Sequence, residues 1–444
     1  MLAAAQAPLW EGCENHSKLS TYLVVLSLKS DYNMSEGCFN RMVELMGQTM
    51  PKDNEMVNNF YQAKKSVRKL GLGCLKIDCC PKGCMLYYKE NSNRTNCKIC
   101  GEDRYKTTNK RGVEKKIPSK KMWYFPLIPR LKRLYSSMAT ASHMRWHSEN
   151  ERDSTIMCHP SDGEAWKHFD RVHSEFSQDP RNVRLGLCAD GFNPFGQYGK
   201  TYSCWPIILT PYNLPPRMCM KREFMFLTIL IPGPSNPKYK IDVYLQPLID
   251  EVCTLWNDGT LTYDVSLRQN FMMKAALIWT INDFPTYGIL SGWSTVGRLG
   301  CPIFMDKSKA FSLKNSRKVS YFDCHRQFLP HNHPYRKNKN SFKKKVIETS
   351  NPPPRLSSPN IWKQVAHLSL AQDRGDENPP HYGDKHNWTK QSIFWTLPYW
   401  KTHLLRHNID VMHTERNVFM NVFNTVMDIN GRTKDTNNAR LDLA

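Results

Sequence analysis

The chain has 444 residues, 40% of them hydrophobic and 23% charged, which is enough apolar material for two or three folded domains. Lys and Arg number 62 against 40 Asp and Glu, a formal charge of +22, so a polyanionic partner such as nucleic acid is expected. No run of eighteen apolar residues exists to span a membrane, and the opening MLAAAQAPLWEGC lacks the basic start and long apolar stretch of a secretory signal. Fifteen cysteines, an odd count with some in paired spacing, argue for metal binding in a reducing compartment over a disulfide framework. A nuclear location fits this reading.

Residues 1–73 predict helices. SKLSTYLVVLSLKSDY, GCFNRMVELMGQTM and the stretch that follows repeat apolar residues three and four apart, and Gly71 and Gly73 are stop signals. A small helical bundle and a DNA-contacting helical module both suit the pattern. Residues 74–105 then read as a zinc-knuckle-like module. Cys80 and Cys84 form one pair, with Cys79 as a substitute, and Cys97 and Cys100 form the second, followed by Gly101. Two cysteine pairs across a short loop suit a tetrahedral all-sulfur Zn²⁺ site of structural type, and the glycine permits the turn that brings backbone N–H groups to the thiolates. Reduced, metal-free cysteines are the alternative.

Residues 106–180 read as a basic and aromatic connector with short helices. Lys and Arg alternate there with Trp123, Tyr124, Phe125 and Tyr135, which either stack on bases or dock on the core. His143, His147, Cys158 and His159 are scattered candidates for a second metal or plain packing residues. Asp179-Pro180 marks the boundary before residues 181–444. Val183 opens a buried strand ending in Asp190; WPIILTP and FMFLTILIPGP are two more; a helix spans 242–256; and AALIWTIN is a further strand ending in Asp283. Strand, strand, strand, helix, strand, with an acid after the first and last strands, suits an RNase H-like α/β core. A carboxylate at the exit of a buried strand is where such folds hold divalent metal, although strand-end aspartates also cap helices and turns.

An insertion of about 294–392 follows. It holds Cys301, Cys324, His325, His331 and His333 in irregular spacing, then a basic run from Arg336 to Lys345 that reads as a phosphate-contacting loop, a nuclear-type address or a solvated face. In the last segment Asp410 and Glu415 open an apolar helix through Val418, Val422 and Val426, with either acid able to supply a third ligand. That helix is expected to pack across the sheet through Val418 and Val422.

Several phrases together are specific. DPRNVRLGLCADGFNPFG, LIPGPSNPKYKIDVYLQPLIDE, ALIWTINDFPTYGILSGWST, HRQFLPHNH and LPYWKTHLLRHNIDVMHTERNV resemble the transposases of plant CACTA-type (En/Spm-like) DNA transposons over almost the whole chain. The resemblance implies a DDE-type transposase whose RNase H-like core cuts and joins DNA with Mg²⁺. It puts Asp190, Asp283 and Glu415 in the catalytic and metal-binding roles, with Asp410 as the alternate third acid. DNA is then the partner, along with a homo-oligomeric assembly and a second element-encoded DNA-binding protein. The chain departs from the pattern at CPIF, where Phe304 replaces a cysteine, and at Phe419 and Met420, where the family has Cys and Asp. These departures, and the ends of the chain relative to longer members, lead to the expectation of a truncated or decayed copy; the rival expectation is a catalytically inactive DNA-binding protein derived from a transposase.

Overall fold

The structure is a computed structural model, and it describes residues 6–68, 73–110, 113–151, 153, 155–196, 199–370, 378–429, 431 and 437–443. Gly71, one of the expected helix stops, lies outside them. The chain divides into two compact units, Met1–Leu75 with Ile128–Leu131, and Lys76–Leu127 with Lys132–Ala444.

The first unit is helical. Its helices α1 (Lys18–Asp31) and α2 (Glu36–Thr49) each begin at a serine, and the side chains of Ser17 and Ser35 accept the free N–H groups of Ser20 and Cys38. A third helix, α3 (Phe60–Arg68), completes the layer. Tyr22 and Val25 from α1, Phe39 and Val43 from α2 and Ala63 from α3 form the core, with Phe39 and Phe60 edge to face at 5.6 Å. The three-and-four spacing seen in the sequence therefore marks the buried face.

The second unit is built on a seven-stranded mixed sheet. Its strands are β1 (Leu75–Cys79), then, after the hairpin β2 (Tyr105–Lys110) and β3 (Val113–Pro118), β4 (Lys120–Tyr124), β5 (Val183–Ala189), β6 (Trp205–Pro211) and β7 (Phe226–Ile231). After the hairpin β8 (Thr260–Asp264) and β9 (Gln269–Met273) comes β10 (Ala275–Asn282); after the short pair β11 (Phe311–Ser312) and β12 (Val319–Ser320) comes β13 (His407–Ile409). The sheet order is β1-β4-β7-β6-β5-β10-β13. β5, β6 and β7 pair antiparallel, whereas β10 pairs parallel with both β5 and β13.

Helices of this unit include α4 (Glu164–Val172), α5 (Ile241–Asn257), α6 (Phe284–Ser291), α7 (Ser358–Val365), α8 (Val411–Val426) and α9 (Asn437–Leu443). α5 packs against β7 and β10, and nearly every residue of β5 and β10 is buried, as befits central strands covered on both faces. Lys390, at the end of the inserted region, reaches Asp242 in the first turn of α5 at 2.6 Å with both side chains buried; Asp242 also accepts the N–H of Ile393.

Three features differ from the sequence reading. The β8–β9 hairpin intervenes between α5 and β10. The expected connector contributes β4 to the sheet: Met122 and Tyr124 are buried, and Glu251 of α5 accepts both the Tyr124 hydroxyl and the Leu127 N–H. Its buried aromatics thus dock on the core. The cysteine module is likewise not freestanding, since β1 is the sheet's edge strand beside β4.

Two histidines around β13 have a consequence for stability. His407 shares a hydrogen bond of 2.8 Å with Thr280 Oγ1, and His403 lies 3.3 Å from the Leu277 carbonyl. Burial holds His407 well below the ordinary histidine value, helped by nearby Arg406, and brings His403 down to about 3. The unfolded chain therefore takes up protons below about pH 6.5 that the folded chain refuses, so stability is full above that pH and declines as pH falls. For His403 the expected loss is about 2 kcal/mol at pH 5 relative to pH 7, with His407 acting in the same direction, read as a falling urea midpoint. His403→Gln should flatten part of that slope; a profile unchanged by the substitution would contradict the assignment.

Candidate metal centres

Asp190, Asp283 and Asp410 each follow directly on one of the three neighbouring parallel strands, β5, β10 and β13. Parallel pairing brings their C-terminal ends to one edge of the sheet, so three chain segments far apart in sequence each present an aspartate there. Asn282 ties the ends together. Its side-chain oxygen accepts the Ala189 N–H at 2.9 Å, and its carbonyl accepts the Asp410 N–H at 2.8 Å. The buried Nδ2 of Asn282 has no hydrogen-bond partner among the described residues. Sequence reasoning passed over Asn282; the available signal was a buried amide in an otherwise apolar strand, immediately before an aspartate.

Each aspartate spends one oxygen locally. Asp283 accepts the Thr286 N–H at 2.9 Å and caps α6, Asp410 accepts the His413 N–H at 3.1 Å and caps α8, and Asp190 accepts the Gly191 N–H at 2.6 Å. Gly191 is held close to Trp205: a Cβ there would lie 2.7 Å from the indole. Burial together with the carboxylates of Asp410 and Asp190 pushes the Cys188 thiol up to about 11, which places both acids within electrostatic reach of one side chain on β5.

Glu415 lies on α8, exposed and five residues beyond Asp410, with no hydrogen bond or ion pair to a described residue. The packing expected of this helix is not what the structure has. Val418 and Val422 are 58% and 59% exposed, and Asn424 is the buried residue of α8. Helical spacing of apolar residues identifies a face suited to burial; it does not specify what covers that face.

The second centre is the cysteine knuckle. Cys80, Cys84, Cys97 and Cys100 bring their sulfurs within 4.8 Å of one another, the one such converging group of Cys, His, Asp or Glu among the described residues. Cys80 and Cys100 are 3.5 Å apart. Two tight turns build the site: Gly83 and Gly101 both have positive φ, and their N–H groups bond the carbonyls of Cys80 and Cys97. Arg104 fastens the loop between the pairs by binding Asp78 at 2.7 Å and the carbonyls of Ser92 and Arg94. Cys79 is not part of the group, because its thiol donates instead to the Ile77 carbonyl.

Burial pushes the thiols of Cys80 and Cys84 up. Burial acts on Cys100 in the same sense, but the Glu102 N–H and hydrogen bonds from Cys80, Cys97 and Cys84 outweigh it and bring Cys100 below the ordinary thiol value. Four convergent soft sulfurs with an N–H from Ile99 to Cys97 Sγ can hold a metal such as zinc.

Several of the other sequence candidates have structural contacts. His159 Nδ1 pairs with Ser161 Oγ at 2.6 Å in a short turn, and His147 faces the buried Arg184 at 3.3 Å. In the inserted region Phe304 packs on Phe328 at 4.9 Å, and His325 sits edge-on to the same ring. His333 Nδ1 accepts the Tyr335 N–H.

No curated protein matches the chain. Residues 154–368 match the family described as Transposase family tnp2, a span that includes Asp190 and Asp283 but neither the cysteine knuckle nor Asp410 and Glu415. That match supports a transposase family for this chain.

Proposed function

We propose that this chain is a DDE-type DNA transposase of the CACTA (En/Spm-like) class, with an RNase H-like core that works in the nucleus on the DNA ends of its element. The observation that carries the proposal is the emergence of three aspartates from neighbouring parallel strands at one sheet edge. Three antiparallel strands, a helix and then parallel strands are the order expected of such a core. Asp190 and Asp283 are two of the ligands. The strand-end position favours Asp410 as the third, and the sequence resemblance favours Glu415.

The donors fit Mg²⁺, a hard cation that prefers carboxylate oxygens. When bound, divalent metal lowers the pKa of an attacking water or 3′-hydroxyl and stabilises charge on the leaving oxygen. The chain's own residues set the stage. Asn282 fixes the spacing of the strand ends, the capped aspartates are held in orientation by backbone N–H groups, and surface lysines bind the phosphate backbone. Zn²⁺ in the cysteine knuckle has a structural role, because four protein thiolates leave no open coordination position.

A second reading, a DNA-binding protein without catalysis, draws on the same geometry: among the described residues the carboxylates do not converge as the sulfurs do, and all three aspartates already serve as caps or turn acceptors. Incubating the purified chain with duplex DNA and Mg²⁺ separates the two. Metal-dependent strand breaks support the transposase; DNA binding with no breaks in Mg²⁺ or Mn²⁺ supports the second reading.

A further inference from the structure

The stretch from Arg336 to Lys345 reads in sequence as one run of equivalent cations. In the structure it is not. Arg336 is buried and spends its guanidinium on four carbonyls, those of Gln327, Leu329, Glu348 and Ser350, at 2.7–3.1 Å. Arg326, also buried, does the same with Asp323, Tyr335, Asn338 and Val346, and stacks 3.9 Å from the centre of the buried Phe342 ring. The Lys344 N–H donates to Asp323 at 2.7 Å. Two internal arginines therefore pin the loop at its beginning, middle and end, and the side chains left projecting are Lys337, Lys339, Lys343, Lys344 and Lys345, all exposed.

A second segment joins them. The turn between β11 and β12 exposes Lys314, Arg317 and Lys318. Asp442 of α9 holds that turn by accepting the N–H groups of Asn315 and Ser316 at 2.9 and 2.8 Å. The Lys344 ammonium lies over the Phe311 ring at 5.0 Å, which sets the pinned loop beside the hairpin. None of these exposed cations is ion-paired with a described residue, and no acid occurs between Lys307 and Phe322 or between Lys337 and Ile347. A solvated face ordinarily intersperses both signs; here the exposed charged side chains of both segments are cationic, and the nearby carboxylates of Asp442 and Asp323 are buried and accept backbone N–H groups.

We infer that the inserted region grips the phosphate backbone of duplex DNA through this two-part cationic surface, with Arg326 and Arg336 acting as positioning residues that never touch the DNA. The inference rests on DNA being the partner proposed above and assigns where it is held. A nuclear import receptor would read one extended, separable basic segment; cations divided between two segments and pinned at both ends suit a broad polyanion with a charge every ~1.7 Å along its axis.

The test uses the full zinc-loaded chain and a 30-bp duplex of arbitrary sequence, with affinity measured by fluorescence anisotropy across a salt series. Each lost phosphate contact reduces the log–log salt slope by about 0.9, so Lys343→Ala/Lys344→Ala/Lys345→Ala should lower it by about 2 to 3 and weaken binding by about tenfold or more at moderate salt. Lys314→Ala/Arg317→Ala/Lys318→Ala, a separate segment, should give a similar decrease and guards against a folding failure in the first variant. Slopes and affinities unchanged in both variants, while the wild type binds and cleaves DNA, overturn the inference alone. Loss of import-receptor binding with an unchanged DNA slope overturns it in favour of a nuclear address. A reduced slope in a protein that cleaves nothing supports the surface while removing the catalytic reading, and a wild type that binds no DNA overturns both.

Discussion

Asp190→Asn should abolish Mg²⁺-dependent DNA cleavage, a fall of about 10³-fold or more, while leaving non-specific DNA affinity within about twofold. The substitution removes one negative charge and keeps the shape. The Gly191 N–H that bonds Asp190 Oδ1 at 2.6 Å can bond the amide oxygen equally, so the turn after β5 persists. Asp190 is exposed, which keeps the stability cost within about 0.5 kcal/mol. The exposed lysines of the inserted region do not depend on it, and DNA affinity should follow them. Asp410→Asn and Glu415→Gln then decide the third ligand. Asparagine caps a helix about as well as aspartate, so Asp410→Asn retains the start of α8 and its effect on cleavage reports metal binding. Whichever of the two variants matches the loss in Asp190→Asn supplies the third carboxylate. Cleavage that survives in Asp190→Asn at wild-type rate would remove this sheet edge as the active site.

Much of the central sheet was legible because its strands are buried on both faces. A run such as VRLGLCA or AALIWTIN has few other uses, and the helix expected over 242–256 is α5 to within a residue at each end. Strands that carry less apolar weight were not legible. KKMWY reads as basic and aromatic because only Met122 and Tyr124 face the core, and HNI in β13 is too short to show a period. Yet β13 is the strand that brings Asp410 to the sheet edge, so the candidate site depends on an element the pattern could not announce. The cysteine ligands illustrate the opposite case. Cys79 and Cys80 are adjacent and chemically alike, but side chains of consecutive residues along extended chain point to opposite sides. Cys79 ends β1 and turns to the Ile77 carbonyl, while Cys80 enters the knuckle. Spacing left that choice open, and strand geometry resolves it. Arg336 shows the remaining limit, since nothing in a basic run distinguishes a buried guanidinium satisfied by four carbonyls from an exposed one.

Purified chain should carry one zinc, and Cys97→Ser should lose it together with the structure around β1. Tetrahedral coordination at about 2.3 Å per bond places sulfurs about 3.8 Å apart, and the Cys80–Cys100 separation of 3.5 Å is close to that. Binding must strip protons from thiols that burial keeps protonated at neutral pH, Cys80 and Cys84 above all. Zinc affinity should therefore rise with pH, and acid should release the metal before it affects the carboxylates. Structural zinc sites contribute on the order of 10 kcal/mol, comparable with the whole stability of a domain. The apolar cluster of the loop is small: it consists of the four cysteines with Met85 and Tyr87, the Tyr87 hydroxyl is buried without a partner among the described residues, and the other fastening is polar, from Arg104 to Asp78 and the carbonyls of Ser92 and Arg94. Loss of zinc should thus unfold residues 80–104 and free the edge of the sheet at β1. Hydrogen exchange would show this as lost protection in β1 and β4, with β5 and β10 unaffected. Cys79→Ser provides the control. Its hydroxyl can still donate to the Ile77 carbonyl, so it should keep a full zinc complement at a small cost in stability. Zinc retained by Cys97→Ser, or lost by Cys79→Ser, would show that the ligand set is not the one the four converging sulfurs define.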